Sequence, residues 1–141
     1  MKGKPSGSRT SPLRTFVFDS EALSLAVRGD RKMIARLDLA ARGAADVITS
    51  PMTLVEAFDG STTEQRWDWV LSRMVVADIG RDEARRARRM LAAAGLHGHK
   101  YAIDAVLAVV AQAQRGQVTV FTSDVDDMER LLPDTIAVVE V

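Results

Sequence analysis

The sequence predicts an α/β protein, with a mainly parallel central sheet covered by helices on both faces. Short β-branched or aromatic runs alternate along the chain with segments of three- and four-residue apolar spacing. Helix start and stop residues stand between them. At 141 residues the chain is of single-domain length, enough to bury one core.

The first strand is expected over residues 15–18, ending at Asp19, and Ala22, Leu23, Leu25 and Ala26 carry it into a helix. Gly29 and Asp30 interrupt the pattern. Met33, Ile34, Leu37 and Ala41 then mark a second helix that closes at Gly43. Val47 and Ile48 predict a second strand. Ser50 supplies an N-cap and Pro51 a first-turn proline for a helix carrying Leu54, Val55 and Glu56. After a break at residues 60–63, Trp67, Val70, Leu71 and Met74 mark another helix, and a third strand is expected over 75–79. Residues 81–94 read as a basic-faced helix stopped by Gly95, and 101–113 as a largely buried one ending near Gly116. A fourth strand over 118–121, a short helix over 125–132 and a terminal strand over 136–141 complete the series. The opening residues, MKGKPSGSRTSP, read as a flexible tail, residues 1–12, preceding a domain over 13–141.

Composition narrows the function classes. Apolar residues make up 47% of the chain and charged residues 27%, the balance of an ordinary globular protein. There is no cysteine, which excludes a disulfide framework, a thiolate zinc site and a cysteine nucleophile, and is compatible with a cytoplasmic protein. No apolar run approaches the roughly 20 residues needed to cross a bilayer, so a soluble protein without a membrane partner is expected. With 19 basic and 19 acidic side chains, any nucleic-acid role must rest on local chemistry rather than on overall charge.

Four acids stand in apolar or tightly turned surroundings: Asp19 in FVFDSEAL, Glu56 in SPMTLVEAF, Asp104 in YAIDAVLAVVA and Asp124 in VFTSDVDD. Each has a structural alternative. Asp19 and Asp124 can cap the helices that follow them, and Asp104 can complement the positive end of its own helix. Glu56 lies beyond the first turn, where capping is unavailable. Carboxylates gathered near a core are costly unless something neutralises them, and a hard cation such as Mg²⁺ does so through oxygen ligands. In parallel sheets ligands bind beyond the carboxyl ends of the strands, where Asp19 and Asp124 are both expected. Only His97 and His99 are available to zinc, and both are expected on a solvent-facing loop.

In this order on this framework, Asp19-Ser20 after the first strand, Glu56 in TLVEAF, Asp104 in AIDAVLA and Asp124 in TSDVDD resemble the PIN-domain pattern, over residues 15–141. The short single-domain length resembles the VapC-like toxins of that family. The resemblance implies a PIN-like three-layer α/β/α sandwich and a Mg²⁺- or Mn²⁺-dependent endoribonuclease. Asp19, Glu56, Asp104 and Asp124 would form its acidic catalytic pocket and hold the metal, with RNA as substrate; TSDVDD also offers Asp126 and Asp127, and Asp127 is taken as the further ligand while the choice between the two stays open. It also implies a homodimer and a small antitoxin partner. A catalytically silent PIN-like module that binds RNA or protein is the alternative. A phosphoacceptor or phosphatase on a similar sheet fits less well, because position 21 is Glu21 where that pattern needs a second Asp, and no Lys follows the fourth strand.

Ser20 and Thr122 lie beside pocket acids, where a hydroxyl either binds a phosphate or metal water or makes a local turn bond. Arg81, Arg85, Arg86, Arg88 and Arg89 form a basic helix side that reads as a solvated face or, with Lys100 and the basic tail, as substrate contact. Trp67 and Trp69 read as core or interface packing ahead of base stacking.

Overall fold

Consecutive residues of a strand face opposite sides of a sheet, and in the first strand both sides are apolar. Phe16 and Phe18 enter one core while Val17 enters the other. That pattern requires cover on both faces, and the structure, a computed structural model describing residues 14–141, supplies it.

The elements are β1 (Arg14–Phe18), α1 (Ser20–Val27), α2 (Arg31–Ala41), β2 (Asp46–Thr49), α3 (Pro51–Glu56), α4 (Glu64–Leu71), β3 (Val75–Val76), α5 (Arg81–Ala94), α6 (Gly98–Gln112), β4 (Gln117–Thr122), α7 (Val125–Leu131) and β5 (Ala137–Glu140). The strands lie in the order β3-β2-β1-β4-β5 and every described pairing is parallel. β1 and β4 share the longest register, from Arg14 opposite Gln117 to Phe18 opposite Phe121.

One core joins Phe16, Phe18, Val47 and Phe121 of the sheet to α1, α2 and α4. Phe121 meets the edges of Phe16 and Phe18 at ring-centroid distances of 5.5 and 5.9 Å. The other joins Val17, Ile48, Val118 and Val120 to α5, α6 and α7. The result is a three-layer α/β/α sandwich with an all-parallel five-stranded sheet, as expected from the alternation of elements.

Local signals explain most boundaries. Ser50 accepts a hydrogen bond from the Thr53 backbone N–H and caps α3. Gly95, with a φ of +70°, ends α5 in the left-handed conformation that favours glycine.

The differences from expectation are local. β3 is shorter than the expected 75–79, because it is the sheet edge and pairs on one side only. The Ala77 N–H still reaches the Thr49 carbonyl at 2.9 Å, after which Ile79 turns to pack against the α5–α6 core. Met74 lies in the turn after α4, beyond the helix. α6 starts at Gly98, so His99 stands in its first turn and not on a loop. His97 is its N-cap, and both histidines are exposed as expected. The tail expected over residues 1–12, and the start of the domain at 13, lie outside the described residues. No described helix is long and apolar enough to cross a membrane.

Candidate metal centre

The strand order fixes where a site can form. Connections from β1 lead outward to β2 and β3, and the chain then returns to lay β4 against the other side of β1, leaving a crevice between the carboxyl ends of these two strands. Asp19 is the residue after β1, and Asp124 stands two residues beyond β4.

Five acids from four separate stretches of chain line one cavity of about 400 Å³ at this edge: Asp19, Glu56, Asp104, Asp124 and Asp127. Glu56 arrives as the last residue of α3, which leaves the carboxyl end of β2. Asp104 projects from the second turn of α6, and Asp127 follows Asp124 by one turn of α7. Asp104, Asp124 and Asp127 each offer a carboxylate oxygen, and these three atoms all lie within 4.8 Å of one another. Asp19 and Glu56 line the same cavity outside that tightest set. Asp126 instead lines the adjoining groove of about 650 Å³ with Asp124, Asp127 and Glu140, so the register of α7 sends Asp127 and not Asp126 into the acid cavity.

The structural alternatives separate once hydrogen bonds are counted. Asp19 does cap α1, its Oδ1 accepting from the Ala22 N–H at 2.8 Å, while its Oδ2 accepts from the Ser123 N–H at 3.0 Å. It therefore ties the first turn of α1 to the chain leaving β4, with lone pairs to spare on both oxygens. Asp124 occupies the N-cap position of α7 but its side chain makes no capping bond. Asp104 lies past the first turn of α6, too far along to serve the helix dipole. Thr122 is fully buried and its Oγ1 accepts from the Asp124 N–H at 2.9 Å, the local turn bond anticipated for it. Ser20 lines the acid cavity.

The electrostatics are those of an overcharged pocket. Burial raises the Asp19 carboxyl above its ordinary value, against the opposing pull of the Ala22 N–H, the Thr122 side chain and the Ser123 N–H. Asp104 is raised to about 6, first by burial and then by repulsion from Asp124, Asp127, Asp19 and Glu56. Neither described salt bridge, Arg28 to Glu21 or Arg86 to Glu83, relieves any of the five. An all-oxygen set of this charge suits a hard divalent ion such as Mg²⁺ or Mn²⁺, and no histidine joins it.

A pH dependence follows. Asp104 holds its proton more tightly in the folded chain than in the unfolded one, so its ionised form opposes folding. That penalty is absent below the ordinary value of 3.8, grows as pH rises towards about 6, and is fully present above it. The shift corresponds to about 3 kcal/mol, which partial exposure reduces to about 1–2 kcal/mol. Calorimetry in chelator is expected to give a higher Tm at pH 5.5 than at pH 7, and Mg²⁺ or Mn²⁺ added at pH 7 is expected to raise the Tm. A metal-free Tm that falls on acidification, together with no response to either ion, would contradict this account of the pocket.

The remaining basic and aromatic residues divide clearly. Arg81, Arg85, Arg86, Arg88 and Arg89 are exposed on α5, and none lines the acid cavity. Trp67 packs in the core and is 7% exposed. Trp69 is half-buried beneath Arg73, whose Cζ lies 3.9 Å from the ring centroid. Lys100 and Tyr101 do line the cavity. Tyr101 went unremarked in the sequence, although it stands three residues before Asp104, and such spacing places side chains on one helix face.

Among solved structures, the fold is similar to a chain in the crystal structure of VapBC2 from Rickettsia felis bound to a DNA fragment from their promoter. The TM-score is 0.62 with 14% sequence identity, covering 90% of this chain and 98% of that one. At that identity the likeness is one of fold, consistent with a PIN-like sandwich. No protein-family model and no curated protein matches the sequence.

Proposed function

We propose that the chain is a Mg²⁺- or Mn²⁺-dependent endoribonuclease of the VapC-like PIN type, acting as the toxin of a toxin–antitoxin pair. The observation that supports this reading is the convergence of Asp19, Glu56, Asp104, Asp124 and Asp127 on one cavity at the switch point of a parallel sheet. In this reading residues 13–141 are the catalytic unit. Asp104, Asp124 and Asp127 hold the ion through the oxygens already gathered, and Asp19 and Glu56 complete the acidic wall. A bound divalent ion supplies Lewis acidity towards a phosphodiester and lowers the pKa of a water, so hydrolysis needs no side-chain nucleophile. Asp19 also keeps the β1 and β4 ends together by holding the Ala22 and Ser123 N–H groups, and Ser20 offers a hydroxyl beside the acids.

The toxin role draws on the similar structure, a VapBC2 assembly bound to promoter DNA. A small antitoxin is accordingly the proposed partner, with a cytoplasmic homodimer as the working state.

The test is cleavage of single-stranded RNA by the purified full chain in Mg²⁺ or Mn²⁺ and in chelator. Cleavage that depends on the ion is expected, as is growth arrest on expression that Asp19→Asn and Asp104→Asn relieve. Intact RNA under all conditions would leave the silent binding module as the better reading. Cleavage without growth arrest would retain the nuclease and remove the toxin.

A further inference from the structure

An acidic cavity repels a polyanion, and even a bound divalent ion leaves several carboxylates facing the substrate, so productive binding calls for a cation on the cavity wall. Among the described residues, Lys100 is the only basic one that lines it. It stands in the first turn of α6, four residues before Asp104, and that spacing puts the two side chains on one face of the helix. With five carboxylates lining the same cavity, Lys100 still forms no ion pair among the described residues. Its Nζ lies instead 5.2 Å from the ring centroid of Tyr101, another cavity-lining residue. An ammonium is attracted weakly to an aromatic face at an exposed site, and here that contact accompanies a charge that pairs with none of the described acids.

We propose that Lys100, beside Tyr101, is the phosphate-positioning residue of this site, donating to a non-bridging oxygen of the RNA backbone as it enters the acid cavity. The proposal rests on the nuclease reading and adds the group that recognises the substrate. A lysine suits the task because its ammonium is a compact charge with three rotatable donors, able to follow a flexible single strand. The arginines of α5 do not compete for this role, since none lines the cavity. Lys100 is exposed, so its replacement leaves the core untouched.

The experiment compares wild type, Lys100→Ala, Lys100→Arg and Tyr101→Leu on a fluorescent single-stranded RNA in Mn²⁺, with kcat and KM determined separately across a salt series. For Lys100→Ala, KM is expected to rise about tenfold with kcat within about threefold, and the log–log salt slope to fall by about 0.7, the loss of one phosphate contact on a single strand. Lys100→Arg should restore most of the KM, and Tyr101→Leu should raise it by less than Lys100→Ala does. Equilibrium binding of the same RNA, read by anisotropy in an Asp104→Asn background, should weaken by a similar factor when Lys100 is replaced. Wild-type KM, slope and binding in Lys100→Ala would overturn the proposal while leaving the nuclease in place, as would a loss confined to kcat. Absence of cleavage by the wild type would instead remove the nuclease reading and this proposal with it.

Discussion

Asp104→Asn is expected to make the metal-free protein more stable at pH 7 while sharply reducing the proposed RNA cleavage. The ionised carboxylate is held against burial and four neighbouring acids, which is why its pKa stands near 6. A neutral amide of the same shape escapes both costs. The gain is expected at about 1–2 kcal/mol, or roughly 3–6 °C in Tm for a chain of this size. Cleavage is expected to fall by at least about 10²–10³-fold, the range seen when a dominant electrostatic group is removed from an active site. The stabilisation by Mg²⁺ or Mn²⁺ should shrink in parallel. Thermal melts with and without ion, beside RNA cleavage at equal folded concentration, check all three. A variant that melts lower than wild type in chelator would show that Asp104 contributes to folding and that its strain is not held for function.

Asp19→Ala is expected to give the same loss of activity with the opposite effect on stability. Its two oxygens satisfy the Ala22 N–H at the start of α1 and the Ser123 N–H beyond β4. Losing the cap costs about 1 kcal/mol and stranding a partly buried N–H about 1–2 kcal/mol. Removing a buried charge offsets part of this, leaving a net cost of about 1–2 kcal/mol. Asp19→Asn keeps one acceptor, enough for the cap, but turns a donor NH2 towards the Ser123 N–H, so it should melt between Asp19→Ala and wild type yet remain inactive. Chemical denaturation of the pair separates the two roles: if Asp19→Ala were as stable as wild type, the tie between α1 and the β4 exit would carry no weight.

How far the sequence speaks for itself is clearest at particular residues. The order of strands and helices was legible because apolar spacing, Ser50-Pro51 and Gly95 are local signals, and local signals determine local structure. The length of β3 was not, since a strand shortens at a sheet edge through its neighbours and not through its own residues. Asp19 and Asp124 could be placed on one edge because parallel strands present their carboxyl ends together. Whether Asp126 or Asp127 would face the cavity turned on the register of α7, which spacing within TSDVDD leaves open. The place of Lys100 depended on α6 beginning at Gly98, before the apolar stretch that betrays the helix. Capping was a fair expectation for both Asp19 and Asp124, and only the hydrogen bonds distinguish them: Asp19 caps while Asp124 leaves its carboxylate unspent.

The same arrangement explains why such a cluster is tolerated. The cores on either side of the sheet are apolar, so most of the fold's stability lies away from the strained acidic edge, Asp19 excepted. On the proposed reading, binding a cation would relieve the strain of the crowded carboxylates, and the binding energy would return as stability of the loaded protein.

Anomalous diffraction from crystals of the full chain soaked in Mn²⁺ near neutral pH tests the centre most directly. A manganese peak within bonding distance of carboxylate oxygens of Asp104, Asp124 and Asp127 is the predicted result, and it should vanish in Asp104→Asn. A cavity without a peak, or manganese bound only at Asp126 and Glu140 in the neighbouring groove, would contradict the account.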